Sequence, residues 1–425
     1  MDLQDLYSLF LSSSGVSTDT RKINNNEIYF ALKGENFDGN DFALEAIKKG
    51  AKFSIVDNPK FKEINKQFIY VKDSLKCLQE LSKIHRSSFD TKVIGITGSN
   101  GKTTTKNLIY SILSEKYKVI KTKGNLNNHI GVPLSLLEIK EDTELAIIEM
   151  GANHIGEIKE LCEIAMPDIG FITNYGLAHL EGFGGFEGVI KGKSEVFNYL
   201  TENYGQIILN NDDPIQVNNC RGDLSITYGE NKDSDFVFEY IKTDKFLKLK
   251  YDGFEFKSNL FGEYNFQNLA VSITIGKLLE ISNRDIQNGL DKFTNDSLRS
   301  EVFNFYDNTV IMDAYNANPS SMLASILSFE SLYEKNKILI LGDMFELGKF
   351  SKNEHQKIVD YLENKDFHKV FLVGKHFSEC TTETNYFIKF LNTIELSNFV
   401  SIKDFKNMNI LVKGSRGVRL ESLFN

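Results

Sequence analysis

The sequence predicts an α/β protein of three domains, and three observations support this prediction. Residues 92–116 contain a short apolar run, a glycine-rich turn and a helical pattern, which is typical of a phosphate-binding α/β domain. Further apolar runs alternate with helical patterns up to about residue 298, and a similar alternation starts again after it. The chain of 425 residues is long enough for about two to four domains of roughly 100–200 residues each.

The first predicted domain is a small α/β domain over residues 1–88. Two short strand-like runs, EIYFAL and KFSIVD, stand among the helical stretches FALEAIKKGA and SLKCLQELSKIHRSS. The polar segment HRSSFDTK, residues 85–92, is predicted to mark the boundary to the next domain.

The second predicted domain covers residues 89–298 and is a P-loop-type mononucleotide-binding α/β domain. Apolar residues before the glycine-rich turn predict a buried parallel strand: Val93, Ile94 and Ile96. Apolar residues after it recur at helical spacing: Leu108, Ile109, Ile112 and Leu113. Further strands are predicted at LAIIEM, DIGFITN and QIILNN, residues 145–150, 168–174 and 206–211.

The third predicted domain, residues 299–425, is a Rossmann-like α/β unit. Four apolar runs each close on Gly, Asp or a residue next to one: VIMDA, KILILGD, KVFLVG and NILVKG. Helical stretches lie between them. Ligands of such sheets gather at the carboxyl ends of the strands, so we expect functional side chains there.

Composition, net charge and cysteine spacing favour some classes of protein and disfavour others. A hydrophobic fraction of 41% and a charged fraction of 25% are ordinary for a soluble globular chain. The net charge of −9 disfavours nucleic-acid binding. The cysteines are far apart, which predicts neither a metal knuckle nor a disulfide framework: Cys77, Cys162, Cys220 and Cys380. An acidic N-terminal stretch and the lack of a 20-residue apolar run predict a cytoplasmic protein.

The stretch TGSNGKTTT, residues 97–105, departs from the usual phosphate-binding spacing. The common pattern has Gly, four residues, then Gly-Lys-Ser/Thr, whereas this loop is G-x-x-G-K-T. Lys102 is expected to reach the β- and γ-phosphates and Thr103 to bind Mg²⁺; the alternative is an ordinary glycine-rich turn. The predicted nucleotide contacts in the loop are Gly98, Ser99, Asn100, Gly101, Lys102, Thr103 and Thr104.

Three further residues are candidates for the same chemistry. Glu149 ends a predicted strand, where its carboxylate is expected either to hold Mg²⁺ or to be a solvated strand-end residue. His179 follows the next strand, and a single loop histidine is more often not a ligand. Lys193, in KGKSEVF, is an ordinary solvated lysine by default.

Seven stretches together resemble the Mur ligase family of bacterial cell-wall synthesis: GSNGKTTT, EMGANHIGEI, NYGLAHLEGFG, GKSEVF, YNANPSSM, LGDMFELG and LVKGSR. The resemblance covers the whole chain, from STDTRKI and FALKGENFDGNDF to KGSRGVRLE. Within this family, GANHIGEI, YNANP, GDMFELG and KGSR are similar to the member that joins D-alanyl-D-alanine to UDP-N-acetylmuramoyl-tripeptide (UDP-MurNAc-tripeptide).

The resemblance implies a catalytic group of Lys102, Glu149, His179 and Lys193 that acts with ATP and two Mg²⁺ ions. The implied metal ligands are Thr103, Glu149, His179 and Lys193, with His179 at the second ion. Lys193 would be an N6-carboxylysine, because the family carries a carbamylated lysine at this place. Lys191 lies close enough in the sequence to be the alternative.

The resemblance also implies nucleotide and substrate contacts outside the loop. Asn268 would meet the adenine, and Arg299 and Asp313 would approach ATP from the third domain. Many relatives carry His where Tyr264 stands, so that adenine contact differs here. The N-terminal domain would hold the uridine end of the substrate, and the C-terminal domain would bind the dipeptide and close on ATP. The implied substrate contacts are Asp19, Thr20, Arg21, Lys33, Asn127, Asn128, Asn316, Asn318, Lys413 and Arg416.

The implied reaction is ATP-dependent formation of an amide through an acyl phosphate, catalysed by a monomer that acts on small molecules and inserts into no membrane.

Two other functions remain open from the sequence. One is another amide ligase of the same architecture, such as a folylpolyglutamate synthase, although YNANP and GDMFELG disfavour it. The other is a nucleotide-dependent switch, which the absence of a guanine-specific N-K-x-D motif disfavours.

Overall fold

The structure is a computed structural model that describes residues 2–220, 225–243, 246–294 and 298–424. The described residues form two compact units. The first lies within Met1–Gly95, Tyr117–Gly151 and Glu157–Ile169, and the second within Ile96–Lys116, Ala152–Gly156 and Gly170–Asn425. In the part of the chain that the structure describes, no helix has the length and apolar character needed to cross a bilayer.

The first 88 residues contribute helices and a parallel sheet to the first unit. Their elements are α1 (Leu3–Leu11), β1 (Val16–Ser17), β2 (Ile28–Phe30), β3 (Lys33–Gly34), β4 (Phe37–Asp38), α2 (Ala43–Lys48), β5 (Phe53–Val56), β6 (Phe68–Tyr70) and α3 (Ser74–Ser87). The sheet has the order β1-β2-β5-β6, and all its pairs are parallel. The two predicted strands and two predicted helices are confirmed as β2, β5, α2 and α3.

Helix α3 continues into the polar segment that was predicted as a domain boundary. His85 and Arg86 belong to its last turn and are 3% and 8% exposed. The His85 Nε2 lies 2.8 Å from the Ile139 carbonyl oxygen, and the Arg86 Nη2 lies 2.9 Å from the Asp168 carboxylate. Burial lowers the pKa of His85. The end of α3 is therefore anchored inside the first unit and is not a solvated linker.

Residues 89–298 alternate strands and helices as predicted. Their elements are β7 (Lys92–Thr97), α4 (Lys102–Leu113), β8 (Val119–Lys121), α5 (Gly131–Leu136), β9 (Leu145–Glu149), α6 (Glu157–Ala165), β10 (Ile169–Ile172), α7 (Leu180–Phe183), α8 (Phe186–Glu202), β11 (Gln206–Asn210), α9 (Pro214–Asn219), β12 (Ser225–Gly229), β13 (Phe236–Val237), β14 (Glu239–Ile241), β15 (Phe246–Tyr251), β16 (Phe254–Phe261), α10 (Phe266–Leu278) and α11 (Asn283–Lys292).

These strands form parallel and antiparallel sheets. In the first unit, β7, β9 and β8 are neighbours in that order, and β9 pairs in parallel with β8. In the second unit, β10, β11, β12 and β13 are neighbours, with β11, β12 and β13 parallel. The strands predicted at 145–150, 168–174 and 206–211 are confirmed as β9, β10 and β11. The antiparallel sheet β14-β15-β16 was not predicted.

The rest of the second unit is a six-stranded sheet with helices. Its elements are β17 (Glu301–Phe305), β18 (Asn308–Asp313), α12 (Pro319–Leu332), β19 (Lys337–Gly342), α13 (Ser351–Leu362), β20 (Lys369–Val373), α14 (Lys375–Ser378), β21 (Phe387–Phe390), α15 (Thr393–Phe399) and β22 (Asn409–Lys413). The order is β17-β18-β22-β19-β20-β21, and only the β17–β18 pair is antiparallel. The four predicted strands are β18, β19, β20 and β22, and the α/β fold class is confirmed.

A buried histidine closes the turn after β19. The His355 Nε2 accepts a hydrogen bond from the Met344 amide at 3.0 Å, and its Nδ1 lies 2.7 Å from the Ser351 carbonyl oxygen. These partners require the neutral ring with its proton on Nδ1. His355 is fully buried, and burial lowers its pKa. The neutral ring therefore shapes the segment between β19 and α13.

We expect this histidine to make stability depend on pH. Because the folded-state pKa lies below the unfolded value, the contribution is complete above about pH 6.5 and is lost as the pH falls below it. The variant His355→Leu should lose about 1–3 kcal/mol of stability, since the buried Met344 amide is left without its acceptor. It should also show a shallower fall in melting temperature between neutral and acidic pH. His129→Gln, at an exposed histidine, is the control. If the melting temperature fell equally with pH in the parent, the His355 variant and the His129 variant, this role of His355 would be contradicted.

Candidate active site

Two glycines with positive φ shape the loop between β7 and α4. Gly98 has φ +139° and Gly101 has φ +82°. A Cβ atom at Gly98 would lie 2.0 Å from the Thr173 Oγ1, and one at Gly101 would lie 2.5 Å from the Asn268 Oδ1. Both backbone conformation and space therefore demand glycine at these two positions. This explains the unusual G-x-x-G spacing, because the turn needs its first glycine at 98.

The residues after β10 hold this loop from one side. The amides of Ser99 and Asn100 donate to the main-chain and side-chain oxygens of Asn174 at 3.0 and 3.1 Å. The Thr173 hydroxyl donates to the Asn100 carbonyl oxygen at 2.6 Å. These loop amides are therefore part of the frame of the turn. The N-terminus of α4 presents N–H groups that a helix cannot satisfy internally, and such a terminus binds phosphate.

The predicted nucleotide residues at the start of α4 are close-packed. The Lys102 Nζ lies 2.7 Å from the Gly98 carbonyl oxygen, so its ammonium group folds over the loop. Thr103 and Thr104 are only 5% and 8% exposed. The Asn268 amide lies behind the loop, where its Oδ1 accepts from the Thr105 hydroxyl at 3.1 Å. Its predicted contact with adenine stays a prediction.

The segment after β18 reaches the same loop. The Asn318 side chain caps α12 by accepting from the Ser321 amide, and its Nδ2 donates to the Asn100 Oδ1 at 2.7 Å. The Ser320 hydroxyl accepts from the Leu177 amide at 2.9 Å. Asn318 was predicted to contact substrate, but here it links the start of α12 to the glycine loop. Asn316 is exposed next to it.

Cationic side chains gather around Tyr315. The guanidinium carbons of Arg299 and Arg416 lie 3.7 and 5.6 Å from the centre of the Tyr315 ring. At the ends of the neighbouring strands β18 and β22, the Lys413 Nζ lies 2.5 Å from the Asp313 carboxylate. The structure thus brings four predicted residues from distant sequence positions to one sheet edge, together with Tyr315, which sequence reasoning missed.

The Tyr264 side chain is hydrogen-bonded within the second unit. Its hydroxyl group lies 2.6 Å from the Ser300 hydroxyl oxygen. Burial, with Asp313 nearby, raises the pKa of Tyr264, so its hydroxyl stays protonated at neutral pH.

His179 is paired with a carboxylate from a distant loop. Its Nδ1 lies 2.5 Å from the Glu346 Oε2. Both residues have positive φ, 53° and 62°, which is uncommon for residues other than glycine and marks functional sites more often than other places. The bond to His179 lowers the pKa of Glu346, although burial opposes this shift. Glu346 lies in the quoted motif GDMFELG but was not singled out from the sequence.

Lys193 is buried and is not the solvated lysine of the default interpretation. It is 1% exposed, and its Nζ donates to the Ala152 carbonyl oxygen at 3.1 Å. The Phe183 ring centre lies 5.1 Å from the same nitrogen. Lys191, the alternative for the modified lysine, is exposed. The two lysines therefore differ in exposure, and only Lys193 has its nitrogen inside the second unit.

In the first unit, Glu149 ends β9 as predicted, but it is not solvated. Its side chain is 2% exposed, and its Oε1 accepts from the Asn127 Nδ2 at 2.8 Å. Its main-chain amide donates to the Thr122 hydroxyl at 3.0 Å. Asn128 instead accepts from the amides of Ile130 and Gly131 at the start of α5. The carboxylate therefore has a fixed orientation at the strand end.

The predicted uridine-end residues in the first unit form two ion pairs. Asp19 and Arg21 are joined at 2.8 Å, and the hydrogen bond from Arg21 lowers the pKa of Asp19 to about 2. The Lys33 Nζ lies 2.9 Å from the Asp57 carboxylate. Thr20 is buried, and its carbonyl oxygen accepts from the Lys49 Nζ at 3.1 Å. Asp57 was missed from the sequence because strand β5 alone gives no sign of its partner.

Each unit, taken by itself, contains a predicted metal ligand of a type that suits Mg²⁺. Among the described residues, no group of three or more His, Cys, Asp or Glu side chains is arranged to hold a metal ion. Mg²⁺ typically takes only one or two carboxylates and completes its shell with phosphate and water. The buried Glu149 carboxylate and the Thr103 hydroxyl are oxygen donors of this kind, each within its own unit. His179 is oriented by a carboxylate, as metal-binding histidines usually are.

Comparison with protein families finds three matching segments. Residues 12–86 match the catalytic domain of the Mur ligase family, residues 96–276 match the Mur ligase middle domain, and residues 298–403 match the glutamate ligase domain of Mur ligases. The three segments follow one another along the chain in the order of the three predicted domains.

Curated relatives are similar over nearly the whole chain. The UDP-N-acetylmuramoyl-tripeptide–D-alanyl-D-alanine ligase of Bacillus subtilis (strain 168) is 36% identical over 426 residues, covering 96% of this chain and 92% of the relative. The enzyme of the same name from Escherichia coli (strain K12) is 32% identical over 435 residues, covering 99% and 94%.

Solved structures share the fold. A crystal structure of MurF from Acinetobacter baumannii is similar with a TM-score of 0.89 at 29% identity, covering 99% of this chain and 97% of that one. The MurF ligase of Thermotoga maritima in complex with ADP is similar with a TM-score of 0.84 at 27% identity, covering 97% and 96%. On these similarities, the three-domain α/β chain with its glycine loop belongs to the Mur ligase family.

Proposed function

We propose that this protein joins D-alanyl-D-alanine to UDP-MurNAc-tripeptide at the expense of ATP, which gives the UDP-MurNAc-pentapeptide precursor of peptidoglycan. The observation that carries the proposal is the glycine loop: Gly98 and Gly101 shape it, and Lys102 lies over it at the N-terminus of α4. Similarity to ligases of this name along 96–99% of the chain supports the choice of substrates.

The reaction would proceed by two substitutions. The carboxylate at the end of the tripeptide attacks the γ-phosphorus of ATP, so that an acyl phosphate forms and ADP leaves. The amine of D-alanyl-D-alanine then attacks the acyl carbon, loses a proton and expels inorganic phosphate, which keeps one of the original carboxylate oxygens. This sequence accounts for every atom and uses only the substrates named.

The main obstacle is repulsion among negatively charged reactants. Lys102 and the N-terminus of α4 would hold the phosphates and offset their charge. Thr103, Glu149, His179 and a carbamylated Lys193 would hold two Mg²⁺ ions, which when bound stabilise charge on the transferred phosphoryl group. Arg299, Asp313 and Asn268 would contact the nucleotide. Holding the reactants in place supplies roughly 7–11 kcal/mol of barrier reduction in well-oriented reactions.

The domains would divide the substrates between them. Residues 1–88 would bind the uridine end through Asp19, Thr20, Arg21 and Lys33, while Asn127 and Asn128 would face the tripeptide carboxylate. Residues 89–298 would bind ATP. Residues 299–425 would bind the dipeptide through four polar or basic side chains and close on ATP: Asn316, Asn318, Lys413 and Arg416. The contact of Asn318 with Asn100 supports such closure.

The proposed enzyme would act in the cytoplasm, because ATP and nucleotide-linked sugars are substrates of the cytoplasm. We propose that it acts as a monomer.

The first test is the reaction itself. Protein mixed with ATP, magnesium, D-alanyl-D-alanine and tripeptide precursors should yield the pentapeptide by mass spectrometry. Tripeptide labelled with ¹⁸O in its terminal carboxylate should transfer one labelled oxygen to the released phosphate. Phosphate release driven by glutamate instead of D-alanyl-D-alanine would favour a folylpolyglutamate synthase, and unlabelled phosphate would exclude the acyl phosphate.

The second test removes the ammonium group over the loop. Lys102→Ala should reduce ligation by at least about 10³-fold, because electrostatic stabilisation of phosphoryl transfer is worth about this much. The melting temperature should stay within a few degrees of the parent. Lys92→Ala, at an exposed position at the start of β7, is the matched control and should keep full activity. Normal turnover by Lys102→Ala would refute the phosphate-binding role.

The third test addresses the buried lysine. Lys193→Ala should lose most activity, and added short-chain carboxylic acids should restore part of it by replacing the carbamate. Lys191→Ala should behave like the parent, since Lys191 is exposed. Intact-mass analysis at high bicarbonate and mild pH should find an added mass of about 44 Da (from carbon dioxide) in the parent and in Lys191→Ala but not in Lys193→Ala. If acids rescue Lys191→Ala instead, the modified residue is Lys191.

A further inference from the structure

The pair formed by His179 and Glu346 joins two loops that are distant in sequence. His179 follows β10, and Glu346 follows β19. Their side chains approach to 2.5 Å, and the Glu181 amide donates to the Glu346 carbonyl oxygen at 3.4 Å. Gly348 lies so close that a Cβ atom there would be 2.9 Å from the Glu181 Cβ. The two loops are therefore fitted to each other by main-chain and side-chain contacts.

The chemistry of this contact depends on which imidazole nitrogen it uses. The carboxylate contacts Nδ1, so the neutral ring donates its proton from Nδ1 and carries its lone pair on Nε2. Without such a partner, free histidine prefers the opposite tautomer, with the proton on Nε2. The carboxylate therefore selects the tautomer and limits rotation of the ring.

We propose that Glu346 is a positioning residue, which fixes the His179 ring in the Nδ1–H tautomer so that Nε2 is available to a ligand. The ligand class is a divalent cation or a phosphate-bound cation, and this part rests on the proposed function. Carboxylate partners of this kind orient metal-binding histidines in general, and their loss typically costs 10–100-fold in affinity or activity.

A purely stabilising ion pair explains the observations less well. The side chains of His179 and Glu346 are 23% and 57% exposed, and exposed ion pairs contribute little to stability. Yet both residues adopt left-handed backbone conformations, which are unfavourable for residues with a Cβ atom. The backbone at both ends of the contact is therefore held in a conformation that the weak ion pair alone does not explain.

The position of Glu346 also means that the orientation of the His179 ring depends on contact between the two loops. Glu346 belongs to the predicted C-terminal domain and His179 to the predicted central domain. The tautomer is therefore selected only while these two loops touch, as they do here along with the Asn318–Asn100 and Ser320–Leu177 contacts. Separation of the loops would release the ring.

The test combines spectroscopy with kinetics. Protein labelled with ¹⁵N-histidine is examined by NMR at alkaline pH without ATP or metal, and the His179 ring is assigned from its loss in His179→Gln. The parent should show His179 as the Nδ1–H tautomer. Glu346→Ala should shift it to Nε2–H, while Glu346→Gln, which keeps an oxygen acceptor, should retain Nδ1–H.

The kinetic expectation follows the spectroscopic one. Glu346→Ala should lower kcat for ligation about 10–100-fold, with KM for the tripeptide precursor changed less than twofold and the melting temperature unchanged within a few degrees. Glu346→Gln should lose much less. Glu334→Gln, at an exposed carboxylate before β19, is the matched control and should equal the parent in both measurements.

Two results would overturn the positioning role. One is a His179 tautomer that is the same in the parent and in Glu346→Ala. The other is a loss of kcat that is equal in Glu346→Ala and Glu346→Gln. A protein that makes no pentapeptide but shows the predicted tautomer change would refute the proposed function alone and leave the positioning role standing.

Discussion

The proposed active site depends on one constraint: the tight turn between β7 and α4 has no room for a side chain at two of its positions. Gly98 and Gly101 satisfy it, because each has positive φ and each would place a Cβ atom against a neighbouring side chain. The turn is then held by Thr173 and Asn174 after β10. A phosphate-binding helix terminus is useful only if it is held rigidly, since electrostatic stabilisation depends on donors that are already in place.

Elements from the C-terminal part of the second unit converge on this frame. Asn318 both caps α12 and donates to Asn100, so a helix start and the glycine loop share one amide side chain. The buried Lys413 pairs with the partly exposed Asp313 at the ends of adjacent parallel strands. The carboxyl ends of parallel strands meet at one edge, which explains why residues a hundred positions apart in sequence assemble here.

Several candidate residues have a structural task that the sequence did not indicate. Asn128 accepts main-chain bonds at the start of α5, and Asn268 supports the loop from behind. Arg299 and Arg416 both contact the ring of Tyr315. Such contacts restrict the side chains before any substrate arrives, and restriction of this kind lowers the entropy lost on binding.

The sequence by itself determined the α/β class, the glycine loop, the family and the positions of part of the strands, because apolar periodicity and short motifs are local properties. In the central and C-terminal regions the strands it located are β7, β9, β10, β11, β18, β19, β20 and β22. Only the tertiary structure showed which side chains pair with one another and which are buried. It showed that Arg86 at the polar end of α3 is buried and pairs with Asp168, and that Lys193 and Glu149 are buried. It also paired His179 with Glu346, which lie on loops 167 positions apart. Burial and pairing depend on which loops meet in space, and this is decided by the packing of sheets and helices that no local pattern records.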